Sequence, residues 1–212
     1  MFSMDNSAKY IIGTAAIFIV GMIAFGYFSN NPNIKNTAAV INSDDLPGIQ
    51  VGTTTPWQAE VDNLKARLDL IDLPALNEEG FAVHTHQHLD IFIDGEPVAV
   101  PAEIGISHSQ NFISPIHTHD ETAVIHIESP TVQSFYLGQF FDIWGVRFNE
   151  NCIGGYCSTS EKTLRVYVDG KLVDGNPRNI ELLQHQEIVV TYGTSEETPN
   201  PIPSLYIFGE GL

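Results

Sequence analysis

Residues 82–100 read AVHTHQHLDIFIDGEPVAV, and the alternation along them decides the fold class. In an extended strand, successive side chains point to opposite faces. Val83, Leu89, Ile91 and Ile93 therefore share one face, an aliphatic set suited to a core, while His84, His86, His88 and Asp90 share the other. Asp94-Gly95 separates this run from residues 96–100, and Asp-Gly between two such runs is a strong hairpin signal. The pattern recurs as residues 164–168, Asp169-Gly170 and residues 171–173. Further strands are expected at residues 122–128, 180–183, 187–192 and 205–208. Hairpins dominate and helices do not alternate with strands, which argues against a parallel α/β sheet. The expected class is mostly β (α+β), an antiparallel β sandwich or barrel.

Two helices accompany these strands. Thr55-Pro56-Trp57-Gln58 has the residues of a helix start: a capping threonine, proline at the first helical position, and glutamine at capping-box spacing. Trp57, Val61, Leu64 and Leu68 then recur at helical intervals, predicting an amphipathic helix to about residue 70 that Leu73-Pro74 ends. A second, short helix fits Leu137, Phe140, Phe141 and Trp144, with Gly145 as its C-terminal stop.

Ahead of this body, residues 10–28 are apolar and uncharged, close to the ~20 residues that a helix needs to cross a bilayer. A cleaved signal peptide usually has an apolar region of only about 7–15 residues, so the reading is an uncleaved transmembrane anchor. Residues 1–9 then form a short cytoplasmic tail, 29–54 a flexible Asn-, Thr- and Gly-rich linker, and 55–212 an extracytoplasmic domain. The expected location is the cell membrane, single-pass, with the N-terminus inside. The chain of 212 residues is 43% hydrophobic, which excludes a fully disordered polymer. Its formal net charge of −17, with nine scattered Lys and Arg, excludes nucleic acid as a partner.

Seven of the eight histidines lie between His84 and His126, and all of these but His108 fall in H84-T-H86-Q-H88-L-D90, H117-T-H119-D120 and H126-I-E128. Side chains at i and i+2 stand about 6.6–6.8 Å apart and can converge on one ion, whereas i and i+4 are about 13 Å apart. One HxH pair therefore needs further ligands from another strand or loop. The economical expectation is one ion held through His86, His88, His117 and His119, with His84 and His126 as the next candidates. Asp90, Asp120 and Glu128 are placed as carboxylate acceptors that would orient the imidazoles. His108 and His185, in polar loops, read as surface residues, and the pairs Glu78-Glu79 and Glu196-Glu197 as solvated charge.

All-imidazole sites suit Cu, Zn, Fe or Ni, and the Irving–Williams order favours Cu(II). Copper stands first, with zinc and iron as alternatives. A blue-copper site needs a cysteine followed shortly by histidine; Cys157 is followed by Ser-Thr-Ser-Glu, so that motif is absent. Cys152-Ile-Gly-Gly-Tyr-Cys157 instead reads as a disulfide closing a short loop outside the cytoplasm.

The run HTHQHLDIFIDGEPVAVPAEIGI, then SPIHTHDETAVIHIESP, LGQFFDIWGV and CIGGYC, resembles an uncharacterised family of extracytoplasmic histidine-rich proteins of archaea and actinobacteria. The resemblance covers about residues 82–192 and brings no established activity. Cupins also use HxH with a later Glu and His, but their glycine-framed motif is missing here. Three functions are compatible with these features. The first is a membrane-anchored protein that holds or delivers a metal, or serves a membrane metalloenzyme as accessory subunit beside a membrane-protein partner. The second is a metalloenzyme with an open metal position. The third is an interaction module in which the histidines act as a pH switch.

Overall fold

The computed structural model describes residues 42–212, so the expected cytoplasmic tail, the transmembrane anchor and the first part of the linker lie outside the described residues. Among the described residues, no helix is long and apolar enough to cross a membrane. Strand β1 (Val83–Ile93) is the spine, and all eleven of its residues are extended. Asp94 and Gly95 adopt φ of 54° and 84° and fold the chain back onto β2 (Glu96–Pro97), as an Asp-Gly hairpin requires.

Four short strands follow: β3 (Ile106–Ser107), β4 (Phe112–Ile113), β5 (Ile116–His117) and β6 (Val124–Ser129), with β3 and β4 paired as a separate ribbon. After them come β7 (Cys152–Ile153) and β8 (Tyr156–Cys157), a second ribbon closed by the Cys152–Cys157 disulfide. The second Asp-Gly turn, with Asp169 and Gly170 at φ of 50° and 76°, joins β9 (Thr163–Val168) to β10 (Lys171–Leu172). β11 (Glu187–Gly193) completes the main sheet, whose order is β10-β9-β11-β1-β6-β5, with β2 paired to the end of β1.

The mostly β composition agrees with the sequence reading, but the sheet is mixed and open. β11 runs parallel to β1 while every other pair is antiparallel, and the strand order leaves edges at β10 and β5 instead of closing a barrel. Tight turns fix only the partners that they join. Parallel neighbours need a connection of a dozen residues or more, and the long path from β1 to β11, which passes through β6 and the helix Leu137–Trp144, supplies it.

One face of the sheet carries Leu89, Ile91, Ile125, Ile127, Val166, Ile188 and Val190, all buried in a single core. Helix α1 (Leu64–Leu70) adds Leu64 and Leu68 to that core. Helix α2 (Leu137–Trp144) is buried along its whole length, and Gly145 stops it at φ 78° with its N–H on the carbonyls of Phe141 and Asp142. Phe141 stacks on Phe148 at 4.0 Å. A buried ion pair ties α2 to the turn at Pro177–Asn179. Both oxygens of Asp142 accept from the Arg178 guanidinium at 3.0 and 2.7 Å, and Arg178 also donates to the Phe148 carbonyl at 2.9 Å.

The structure corrects four local expectations. Helix α1 starts at Leu64, not near residue 55, because residues 57–60 bond across to other segments. The Trp144 indole donates to the Gln58 carbonyl at 3.1 Å, the Glu60 N–H to the Trp144 carbonyl at 3.3 Å, and the Trp57 indole to the Gly52 carbonyl at 3.2 Å. Residues 42–54 of the expected linker pack on the body: Leu46 is buried and Gln50 pairs with Val146. Residues 205–208 are not a strand. Leu205 and Ile207 are exposed, while Tyr206 and Phe208 stack on His88 and His185. Residues 180–183 likewise contribute only an isolated bridge, Glu181 to Tyr136.

Candidate metal centre

The sheet face opposite the core carries the histidines, and the register decides which of them meet. β1, β6 and β5 lie side by side, with His86 opposite His126, His126 opposite His117, and His84 opposite Glu128. Directly opposed residues project to the same side. A row of three imidazoles therefore crosses three strands, with the His84–Glu128 pair beside it.

His119, just past β5, folds back so that its Nε2 stands 3.1 Å from that of His117. Ring centroids of neighbouring histidines are 4.7 Å apart for His86–His126, 4.5 Å for His119–His126 and 4.9 Å for His84–His86.

Two glycines allow this convergence. A Cβ on Gly105 would sit 2.6 Å from the Ile116 carbonyl, so only glycine lets that segment lie against β5. A Cβ on Gly80 would sit 2.1 Å from the Pro130 nitrogen, so glycine docks the preceding turn on the end of β6. That turn carries Glu79, whose Oε1 reaches 3.6 Å from His119 Nε2.

Glu128 lies at the centre of the cluster. Its Oε1 is 3.3 Å from His84 Nε2 and 3.6 Å from His126 Nδ1, and its Oε2 is 3.9 Å from His117 Nε2. One donor atom each from His117, His119, His126 and Glu128 lies within 4.8 Å of the others, and the same holds for His84, His86 and Glu128. His117 Nδ1 is 3.0 Å from the Ser114 carbonyl, which can only accept. Nδ1 therefore bears the proton, and the Nε2 lone pair is left facing the cluster, the arrangement in which a ligating histidine is oriented by its other nitrogen. Both ring nitrogens of His86, Nδ1 of His126 and Oε2 of Glu128 are buried with no hydrogen-bond partner in the protein. A buried polar atom left unpaired costs about 1–3 kcal/mol, so such a concentration needs an explanation. A cation shared among them supplies one.

Burial, followed by the neighbouring imidazole of His119, pushes His117 down to about 3 and His126 down to about 4. Burial also lowers His86. These rings are neutral at neutral pH, as a metal requires. Burial, together with the nearby Glu79 carboxylate, raises Glu128 to about 7.

The metal-free protein should lose stability in acid. A group whose folded pKa lies below its unfolded value is protonated first in the unfolded state, so its contribution is lost as pH falls from about 6.5 toward the folded value. At pH 5 the fully buried His117 alone accounts for roughly 2 kcal/mol, and His126 and His86 add in the same direction. Glu128 acts oppositely between about 7 and its ordinary value of 4.5 and at pH 5 offsets about as much as His117 alone loses, so the net loss rests on His126 and His86. Urea midpoints measured with a chelator present should therefore be lower at pH 5 than at pH 7; an equal or higher midpoint at pH 5 contradicts the buried neutral imidazoles.

His86, His117, His119, His126 and His84 are thus brought together. His88 belongs to a different group, with Nδ1 2.9 Å from Glu187 Oε2, Asp90 adjacent, and the Tyr206 ring stacked on it at 3.9 Å. Asp120 is exposed and accepts from the Thr122 N–H at 2.9 Å and from its hydroxyl. His108, with Glu103 as its partner, lies on the surface, and His185 is exposed beside the Leu212 carbonyl while its backbone N–H donates to the His86 carbonyl at 2.7 Å. Reasoning from sequence missed Glu79 and Glu187 and placed Glu128 only as an orienting carboxylate. The one available signal for Glu128 was its i+2 spacing from His126 on a single strand. No protein-family model matches the chain, and neither a curated protein nor a solved structure matches it.

Proposed function

We propose that this is a metal-binding protein that holds a borderline divalent ion, Cu(II) or Zn(II), through His117, His119, His126 and Glu128, with His86 and His84 beside them. The observation that carries this reading is the set of four donors from three segments within 4.8 Å of one another, one of them held in the ligating tautomer. Three imidazoles and a carboxylate, with the only two cysteines committed to a disulfide, suit Cu(II), Zn(II) or Fe(II) better than soft Cu(I). Four protein donors favour holding or delivering the ion over catalysis, because a catalytic site keeps a position open for water or substrate. In this proposal residues 10–28 anchor the chain in a membrane, the body lies outside the cytoplasm, and the ion is stored, passed on or supplied to a membrane metalloenzyme partner. Metal analysis of protein purified without a histidine tag, then stripped and reloaded with Cu(II) or Zn(II), tests the reading. At least one equivalent should survive gel filtration; failure to retain either ion stoichiometrically overturns it.

A further inference from the structure

The cluster contains more donors than one ion can use. A four-coordinate ion is satisfied by His117, His119, His126 and Glu128, yet His84 and His86 converge on the same carboxylate from the other side. His86 is 3% exposed, and neither of its ring nitrogens has a hydrogen-bond partner in the protein. With a single ion on the His117 side, that buried ring would remain unsatisfied. Glu128 stands between the two sides: its Oε1 lies 3.3 Å from His84 Nε2 and 3.6 Å from His126 Nδ1, and its Oε2 lies 3.9 Å from His117 Nε2. A carboxylate placed between two such donor groups is the form of ligand that joins paired ions about 3.5–4 Å apart.

We infer that Glu128 bridges two divalent ions, one on the His117–His119–His126 side and a second on the His84–His86 side. This rests on the metal-binding reading above and extends it from one ion to a coupled pair. The second ion accounts for the unpartnered His86 ring, which the first does not. It also gives the exposed His84, at the edge of the cluster, a ligand's role.

Titration of the stripped full chain with Cu(II) at pH 7.5, read by equilibrium dialysis and electron paramagnetic resonance, tests the inference. Two equivalents should bind. The signal should grow to the first equivalent and fall on addition of the second, as the two spins couple through the carboxylate. His86→Ala and His84→Ala should each bind one equivalent with a full, uncoupled signal. His84→Ala is the safer variant for folding, because its side chain is 47% exposed. One equivalent in the wild type overturns the pair and leaves the single-ion reading standing; none overturns both. Two equivalents with undiminished signal place the second ion elsewhere, for instance at His88, and also overturn the bridge. So does a His84→Ala variant that still binds two coupled ions.

Discussion

His126→Ala is expected to lower affinity for Cu(II) or Zn(II) by roughly 100-fold or more, since loss of a residue that merely orients a ligand already costs about 10–100-fold. His126 stands opposite both His86 and His117 in the sheet, and its ring lies 4.5 Å from that of His119. Its Nδ1 is also 3.6 Å from Glu128 Oε1. No other imidazole contacts so many members of the cluster, so its removal takes a ligand from the centre. The fold should tolerate the change, because the core face of β6 is carried by Ile125 and Ile127. Competition against a chromophoric chelator measures the effect, with the surface variant His108→Ala as the control. Affinities within about threefold of wild type for His126→Ala would sink the assignment.

Asp142→Ala is expected to destabilise the domain by about 3–5 kcal/mol, the usual cost of removing one member of a buried ion pair. Arg178 is 3% exposed, and its buried guanidinium would lose the carboxylate that accepts two of its hydrogen bonds. Its 2.9 Å bond to the Phe148 carbonyl does not neutralise that charge. Burial already pushes the Asp142 carboxyl upward, and the Arg178 guanidinium opposes the shift, so neither group tolerates isolation. Against a typical total of about 5–15 kcal/mol, this loss is large. The double variant Asp142→Leu/Arg178→Met should recover most of it, because apolar groups of similar size can replace a buried pair at little cost. Urea unfolding of the single and double variants decides the matter; a loss below about 1 kcal/mol in Asp142→Ala would show that the pair is not buried as described.

Much of the fold was legible where the signal is local. Both Asp-Gly turns adopt the positive φ values that their residue types allow, and the alternation of residues 83–93 became one long strand. Helix α2 ends at the glycine that its pattern pointed to. The elements that departed from expectation were overridden by distant partners. Trp57, Gln58 and Glu60 look helical in sequence, but their hydrogen-bonding groups meet Gly52 and Trp144 instead. At residues 205–208 the alternating apolar pattern serves ring stacking on His88 and His185, not strand pairing.

What the sequence determined by itself is the chemistry available: a histidine-bearing strand face backed by an aliphatic one, a second HxH group, and a third strand carrying His126 and Glu128. Local alternation suffices for this, since the period of two holds for any strand whatever its neighbours. What only the tertiary structure decided is which donors meet. His86 and His88 share a face two residues apart, yet one joins the five-histidine cluster and the other joins Glu187 on β11. That division follows from β6 pairing with the first half of β1 and β11 with the second, one antiparallel and the other parallel. Register and strand order are set by long-range burial across the whole sheet, and nothing in the spacing of the histidines encodes them.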